Sequence, residues 1–186
     1  MGFEATPLDG VWIYTPRVFQ DERGYFFESY NEEVFQKVGI HAYFVQDNQS
    51  FSKKGVLRGL HFQKPPYAQA KLVRVIVGTI WDVVVDLRSS SPTYGKWFGI
   101  ELSDANFRQI YIPRGFAHGF VVLSEEAIVA YKTDNFYHPE SDGGVRYNDP
   151  DVGIDWPVKI DENLISPKDR KLPFLREIGD VFGGER

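Results

Sequence analysis

GVLRGLHFQKPPYAQAKLVRVIVGTIWDVVVDLR, residues 55–88, is the stretch whose reading decides the fold. Its runs of Val, Ile, Leu and Phe have strand composition, yet they carry Arg58, His61, Lys71, Arg74, Asp82 and Asp86. A charge inside an apolar strand needs a partner or a ligand. Strand alternation puts Lys71, Val73 and Val75 on one face. After a turn at Gly78 it puts Asp82, Val84, Asp86 and Arg88 together, which predicts a hairpin with a polar row on one side. Leu57, Gly59, His61 and Gln63 fall on one side of the preceding strand. Arg58 therefore points away from His61 unless Gly59 carries a bulge, a position where bulges tend to occur.

Outward from this stretch the same grammar continues. Upstream, residues 7–19 read as strand, turn, strand, and residues 21–24 make a polar turn into YFFESY. Ser29 with Glu32 has the pattern of a capping box, and Asn31 is the competing cap. Val34, Phe35 and Val38 form one apolar helical face that Gly39 stops. Residues 41–51 read as a strand ending in the amide-rich QDNQ. Downstream, residues 97–102 and 109–112 alternate as strands. His118, Phe120 and Val122 share a face, as do Val129, Tyr131 and Thr133; the two segments, a short turn apart, are expected to be neighbouring strands. Ser166, Pro167 and Asp169 supply the cap, the proline and the acidic first turn of a short helix. Many short strands with few helices predict an all-β barrel or sandwich.

The bulk properties set limits. The 186 residues, 42% of them hydrophobic, are enough to bury a core, and a single domain over residues 1–186 is expected. A net charge of −5 with scattered Lys and Arg leaves no basic footprint for nucleic acid. The chain has no cysteine, so no disulfide frame or thiolate metal site can form. No apolar run approaches a membrane span, and the N-terminus lacks a secretory pattern, so no membrane partner and a cytoplasmic location are expected.

The turn Pro113-x-Gly115-x-x-His118 and the pair Gly59-x-His61 resemble the two motifs of the cupin superfamily, whose fold is a jelly roll, or double-stranded β-helix. Within it, DERGYFFE (21–28), QDNQS (46–50), GVLRGLHFQ (55–63), KLVRV (71–75), DLR (86–88), PRGFAHGF (113–120) and SPKDR (166–170) resemble, in order, the dTDP-4-dehydrorhamnose 3,5-epimerase family. Cupins commonly hold a metal on clustered histidines. Here Gln63 stands where the second histidine of that pattern belongs, and Val122 where a later polar residue belongs, so no metal is expected.

The resemblance implies inversion at carbons 3 and 5 of a 4-keto-6-deoxy sugar through an enolate. That chemistry needs a base, a stabiliser for the enolate oxygen and an acid, and no cofactor. His61 suits the base because a neutral imidazole is available near pH 7. By resemblance Asp169 orients it, with Asp82 as competitor. Lys71, helped by His118, suits the enolate oxygen, and Tyr131 the acid. The resemblance further implies that Tyr137 stacks on the thymine. It assigns nucleotide, diphosphate or sugar contacts to Arg23, Glu28, Gln46, Asn48, Arg58 and Lys168. Where the family often has Glu, this chain has the shorter Asp142. A homodimer is implied, with the segment around Arg23 reaching the neighbouring subunit. The alternatives are a one-carbon epimerase or ketoisomerase on a related dTDP-sugar, a metal-dependent cupin enzyme, and a non-catalytic sugar-nucleotide-binding module.

Overall fold

Among residues 2–183, which the computed structural model describes, strands dominate. In chain order they are β1 (Gly2–Ala5), β2 (Trp12–Thr15), β3 (Phe19–Asp21), β4 (Gly24–Phe26), β5 (Gln46–Lys53), β6 (Leu57–Gln63), β7 (Lys71–Val77), β8 (Thr79–Asp86), β9 (Trp97–Ser103), β10 (Gln109–Ile112), β11 (Phe116–Val122), β12 (Glu126–Thr133) and β13 (Asp142–Gly144). Two short helices, α1 (Glu32–Gln36) and α2 (Pro167–Arg170), are added to them. One sheet has the order β1-β2-β10-β7-β12-β5 and the other β13-β6-β11-β8-β9, while β3 and β4 make a separate hairpin. The expected all-β jelly roll is what forms.

Alternation in each strand sorts its residues into three layers. Val73, Val75, Val84, Ile110, Phe120 and Val129 pack between the sheets. Leu72, Tyr14 and Tyr111 point out of the six-stranded sheet and are covered by Phe35 of α1 and by Ile40. Leu60, Phe62, Val83 and Val85 point out of the five-stranded sheet under Val145, Leu175 and Phe182 of the C-terminal segment. Because β8 is buried on both faces, a one-residue slip would exchange Asp82 and Val84 for Val83 and Val85 and strand the carboxylate among apolar side chains.

The predicted hairpin at Gly78 does not exist. Its two arms, β7 and β8, belong to different sheets. A hairpin needs at least two turn residues, and here Gly78 alone separates the strands. At φ +84° it turns the chain out of the sheet plane, and a Cβ there would lie 2.1 Å from the Glu126 carbonyl. The polar rows of β7 and β8 therefore come from opposite walls. A second crossover, through residues 123–125, corrects another expectation: β12 does not neighbour β11 but pairs with β5 and β7 in the other sheet.

The parity problem at Arg58 and His61 is solved by a bulge. His61 pairs with His118 and Arg58 with Phe120, so three steps on β6 match two on β11. Leu57, Leu60 and Phe62 consequently all pack outward, and Arg58 and His61 line one cavity. Gly59 allows this with φ +121°; a Cβ there would lie 2.6 Å from Gly119 Cα and 2.8 Å from the His118 carbonyl. At α1 the cap is Asn31, whose side chain accepts the Glu33 N–H at 3.1 Å, and not Ser29. Residues 41–45 precede the strand, which begins at Gln46, and β1 and β13 had no counterpart in the sequence reading.

Candidate active site

His61 projects from β6 beyond the bulge, and its Nε2 lies 2.7 Å from Oδ1 of Asp169. Asp169 is on α2, whose start follows the predicted signals: Pro167 opens the helix and Ser166 Oγ accepts the Asp169 N–H at 3.0 Å. A bridge between Leu57 and Ile165 holds that turn beside β6. The other carboxylate oxygen, Oδ2, accepts the Gly59 N–H at 3.1 Å. Burial pushes the Asp169 carboxyl up, but the hydrogen bond and charge of His61, with Gly59 and Ser166, hold it below the usual carboxylate range. An ionised carboxylate only accepts, so Nε2 carries the hydrogen of the neutral ring and Nδ1 is left as the basic nitrogen.

Asp82, the competing partner, is taken by the other histidine. Its Oδ2 lies 2.7 Å from His118 Nε2, and Oδ1 is buried without a hydrogen bond. Burial raises the Asp82 pKa, and His118 and Lys71 oppose the rise. Lys71, 8% exposed at the start of β7, reaches toward the same wall, its Nζ 3.4 Å from the His61 carbonyl. Burial lowers its pKa to about 8, against the opposing pull of Asp142, Asp82 and Asp134. Burial likewise raises Tyr131, with Arg58 opposing, so its hydroxyl stays protonated at neutral pH.

These groups meet in a cavity of about 200 Å³ that His61, Lys71 and Tyr131 line together. Gln46, Asn48, Tyr137, Asp142 and Lys168 line it as well. A neighbouring cavity of about 340 Å³ shares His61 and Lys168 and adds Arg58 and Asp169. A further cavity of about 290 Å³ touches Asn48 and Tyr131 but neither histidine, so the titratable constellation belongs to the first two. Asp142 accepts hydrogen bonds from Lys168 and, at 3.3 Å, from the Tyr137 hydroxyl. The bond that Lys168 donates to Asp142 raises the Lys168 pKa. The shorter carboxylate therefore reaches the hydroxyl of Tyr137, a residue that is 54% exposed.

Three predicted contacts do not line either cavity. His118 is buried against Asp82. Arg23 pairs with Asp21 on the exposed β3–β4 hairpin, and Glu28 accepts a bond from Asn31. Two residues that were not foreseen, Gln63 and Gln69, line the cavity. The signal for Gln63 was its two-residue spacing from His61 on one strand face. As a metal site the constellation fits poorly. Each motif histidine gives one ring nitrogen to an aspartate, and among the described residues no three His, Cys, Asp or Glu side chains gather as a ligand set. No helix among them is long and apolar enough to cross a membrane. What the arrangement offers chemically is a base backed by a carboxylate, a desolvated cation and a neutral phenol around one small space.

Comparison with known proteins agrees with that chemistry. The sequence model of the dTDP-4-dehydrorhamnose 3,5-epimerase family matches residues 5–177. The enzyme of that name from Methanothermobacter thermautotrophicus is 57% identical over 94% of this chain and 95% of its own. A crystal structure of the enzyme from Elizabethkingia anophelis superposes with a TM-score of 0.89 at 54% identity, covering 95% of this chain and 97% of that one. A dTDP-6-deoxy-D-glucose-3,5-epimerase from Legionella pneumophila, solved in complex with dTDP-4-keto-L-rhamnose, gives 0.90 at 47% identity over 95% and 94% of the two chains. With its length, its fold and its cavity all accounted for, the chain belongs to the dTDP-4-dehydrorhamnose 3,5-epimerase family of isomerases.

Proposed function

We propose that the protein converts dTDP-4-keto-6-deoxy-D-glucose to dTDP-4-keto-L-rhamnose by inverting C3 and C5, supplying dTDP-L-rhamnose synthesis, as a cytoplasmic homodimer that needs no cofactor. The protons on C3 and C5 are acidified by the C4 ketone between them. His61 Nδ1 removes one, the electron pair moves onto the C4 oxygen, and Asp169 stabilises the imidazolium that results. Lys71 is assigned to the enolate oxygen, with His118 sharing the task. A preorganised cation there contributes on the order of 3 kcal/mol to the barrier. Tyr131 returns a proton to the opposite face, and the cycle repeats at the second carbon. The observation that carries this reading is that His61 and Tyr131 line one cavity from opposite sheets. Inversion requires a base and an acid on opposite faces of the sugar.

Tyr137, bonded to Asp142, is assigned to the thymine, and Gln46, Asn48, Arg58 and Lys168 to nucleotide, diphosphate or sugar, with the Arg58 guanidinium suited to diphosphate oxygens. Arg23 and Glu28 are assigned to the site of the second subunit. Both lie outside their own cavity, and Arg23 stands next to the exposed rings of Phe19, Tyr25 and Phe26, which supports that assignment. The test is turnover of dTDP-4-keto-6-deoxyglucose in heavy water with deuterium counted at each carbon. One deuteron at both C3 and C5 of an inverted product is expected. Incorporation at one carbon identifies a single-carbon epimerase, and binding without incorporation a non-catalytic module.

A further inference from the structure

Tyr137 sits in a stretch, residues 136–138, that belongs to no helix or strand. Two side-chain amides, one from each sheet, take up much of its backbone hydrogen bonding. From β5, Gln46 Oε1 accepts the Tyr137 N–H at 3.1 Å. From β6, the carboxamide of Gln63 grips the residues on both sides. Its Nε2 donates to the Phe136 carbonyl at 3.1 Å and its Oε1 accepts the His138 N–H at 2.7 Å. The second Nε2 hydrogen goes to the Tyr67 carbonyl at 2.7 Å, and the Tyr67 ring stacks on that of His138 with centroids 3.5 Å apart. Gln63 is 4% exposed, so water does not replace these bonds when they are lost.

We infer that Gln63 is a positioning residue that fixes the Tyr137 loop relative to the catalytic base. It stands two residues from His61 on the same strand, so the reacting end and the nucleoside end of the site are referenced to one rigid element. The amide is the side chain this task requires. It offers two donors for two carbonyls and an acceptor for an N–H, whereas a carboxylate lacks the donors and a histidine cannot match the three directions. The position at which the cupin metal pattern has a histidine is thus used here to hold a recognition loop. This inference rests on the reading of Tyr137 as the nucleoside contact.

The experiment is a cycle of Gln63→Met, Tyr137→Ala and the double variant, with dTDP affinity measured by calorimetry and kcat and KM measured on substrate. Gln63→Met is expected to weaken dTDP by about 10-fold, the scale of losing hydrogen bonds around one loop, and to raise KM by a similar factor. The kcat value, which is set by His61, should fall by a smaller factor. In the Tyr137→Ala background the Gln63 effect should largely vanish, because both changes act on the same contact. Full additivity, or an unchanged dTDP affinity in Gln63→Met, overturns the inference. An unchanged affinity in Tyr137→Ala alone overturns the underlying reading instead. If Gln63→Met does not fold, the isosteric Gln63→Glu carries the same comparison, since it keeps the acceptor and loses both donors.

Discussion

Asp169→Asn isolates the contribution of one charge with almost no change of shape. In the native site both carboxylate oxygens are engaged, Oδ1 with His61 Nε2 at 2.7 Å and Oδ2 with the Gly59 N–H at 3.1 Å. The Gly59 N–H can only donate, so the amide of the variant keeps its oxygen there and turns its NH2 toward His61. Nε2 must then accept, which moves the ring hydrogen to Nδ1, the nitrogen proposed to take the substrate proton. The variant therefore holds the base in the wrong tautomer and also removes the charge that stabilises the imidazolium. Where an orienting aspartate of a catalytic triad is replaced this way, the loss is about 10⁴-fold in kcat, and about 10³- to 10⁴-fold is expected here. This corresponds to about 4 to 5.5 kcal/mol on the barrier. KM and dTDP affinity should stay within about threefold, because the proposed role of Asp169 is to orient His61 and not to hold the ligand. The assay is deuterium wash-in at C3 and C5 in heavy water beside steady-state turnover, with both falling together. A loss below about tenfold, or a loss confined to KM, refutes the tautomer argument.

Tyr131→Phe deletes one hydroxyl of a half-buried side chain and preserves the ring. Wash-in through His61 should persist while net inversion falls by about 100-fold, the scale of a lost general acid, and a parallel fall in both would place Tyr131 in the abstraction step. Lys71 titrates near pH 8 in the folded protein against an ordinary value of 10.5. Its charge is present below about 8 and lost above, so kcat should decline through that pH, and Lys71→Met should show low activity without that limb. Stability moves oppositely. The unfolded chain binds this proton up to 10.5, so the penalty of a buried ammonium applies fully below about 8 and is relieved as pH rises toward 10.5. Equilibrium unfolding that shows no Lys71-dependent gain across that window contradicts the sign.

The class of fold was legible because short alternating strands survive as a pattern in any register. The errors lie where a single residue decides direction. Gly78 reads locally as a turn, and only the sheet assignment shows that the chain crosses to the opposite wall there; the short link at residues 123–125 likewise reads as a hairpin turn but carries the Tyr131 strand to the other sheet. Alternation stated the Arg58 and His61 conflict correctly and named Gly59 as its remedy, but the bulge needs Gly119 opposite it, a contact that no local pattern contains. Asp169 and Asp82 were both open as partners of His61. They lie 108 and 21 residues away along the chain, and the choice rests on α2 docking beside β6. Arg23 and Glu28 came from the resemblance alone, and a single subunit does not place them in its own cavity.

The glycine seam behind the base also bears on how this scaffold is redesigned. A Cβ on Gly59 meets Gly119 Cα at 2.6 Å, and a Cβ on Gly119 meets the Arg58 carbonyl at 2.6 Å. Replacing both compounds the clash, so no mutational path through either position leads to a larger side chain. Those two positions behind His61 are closed to saturation libraries. Diversity aimed at other sugars has to enter from the facing wall, through Gln46 and Asn48 on β5, with the catalytic geometry around His61 left as a constant.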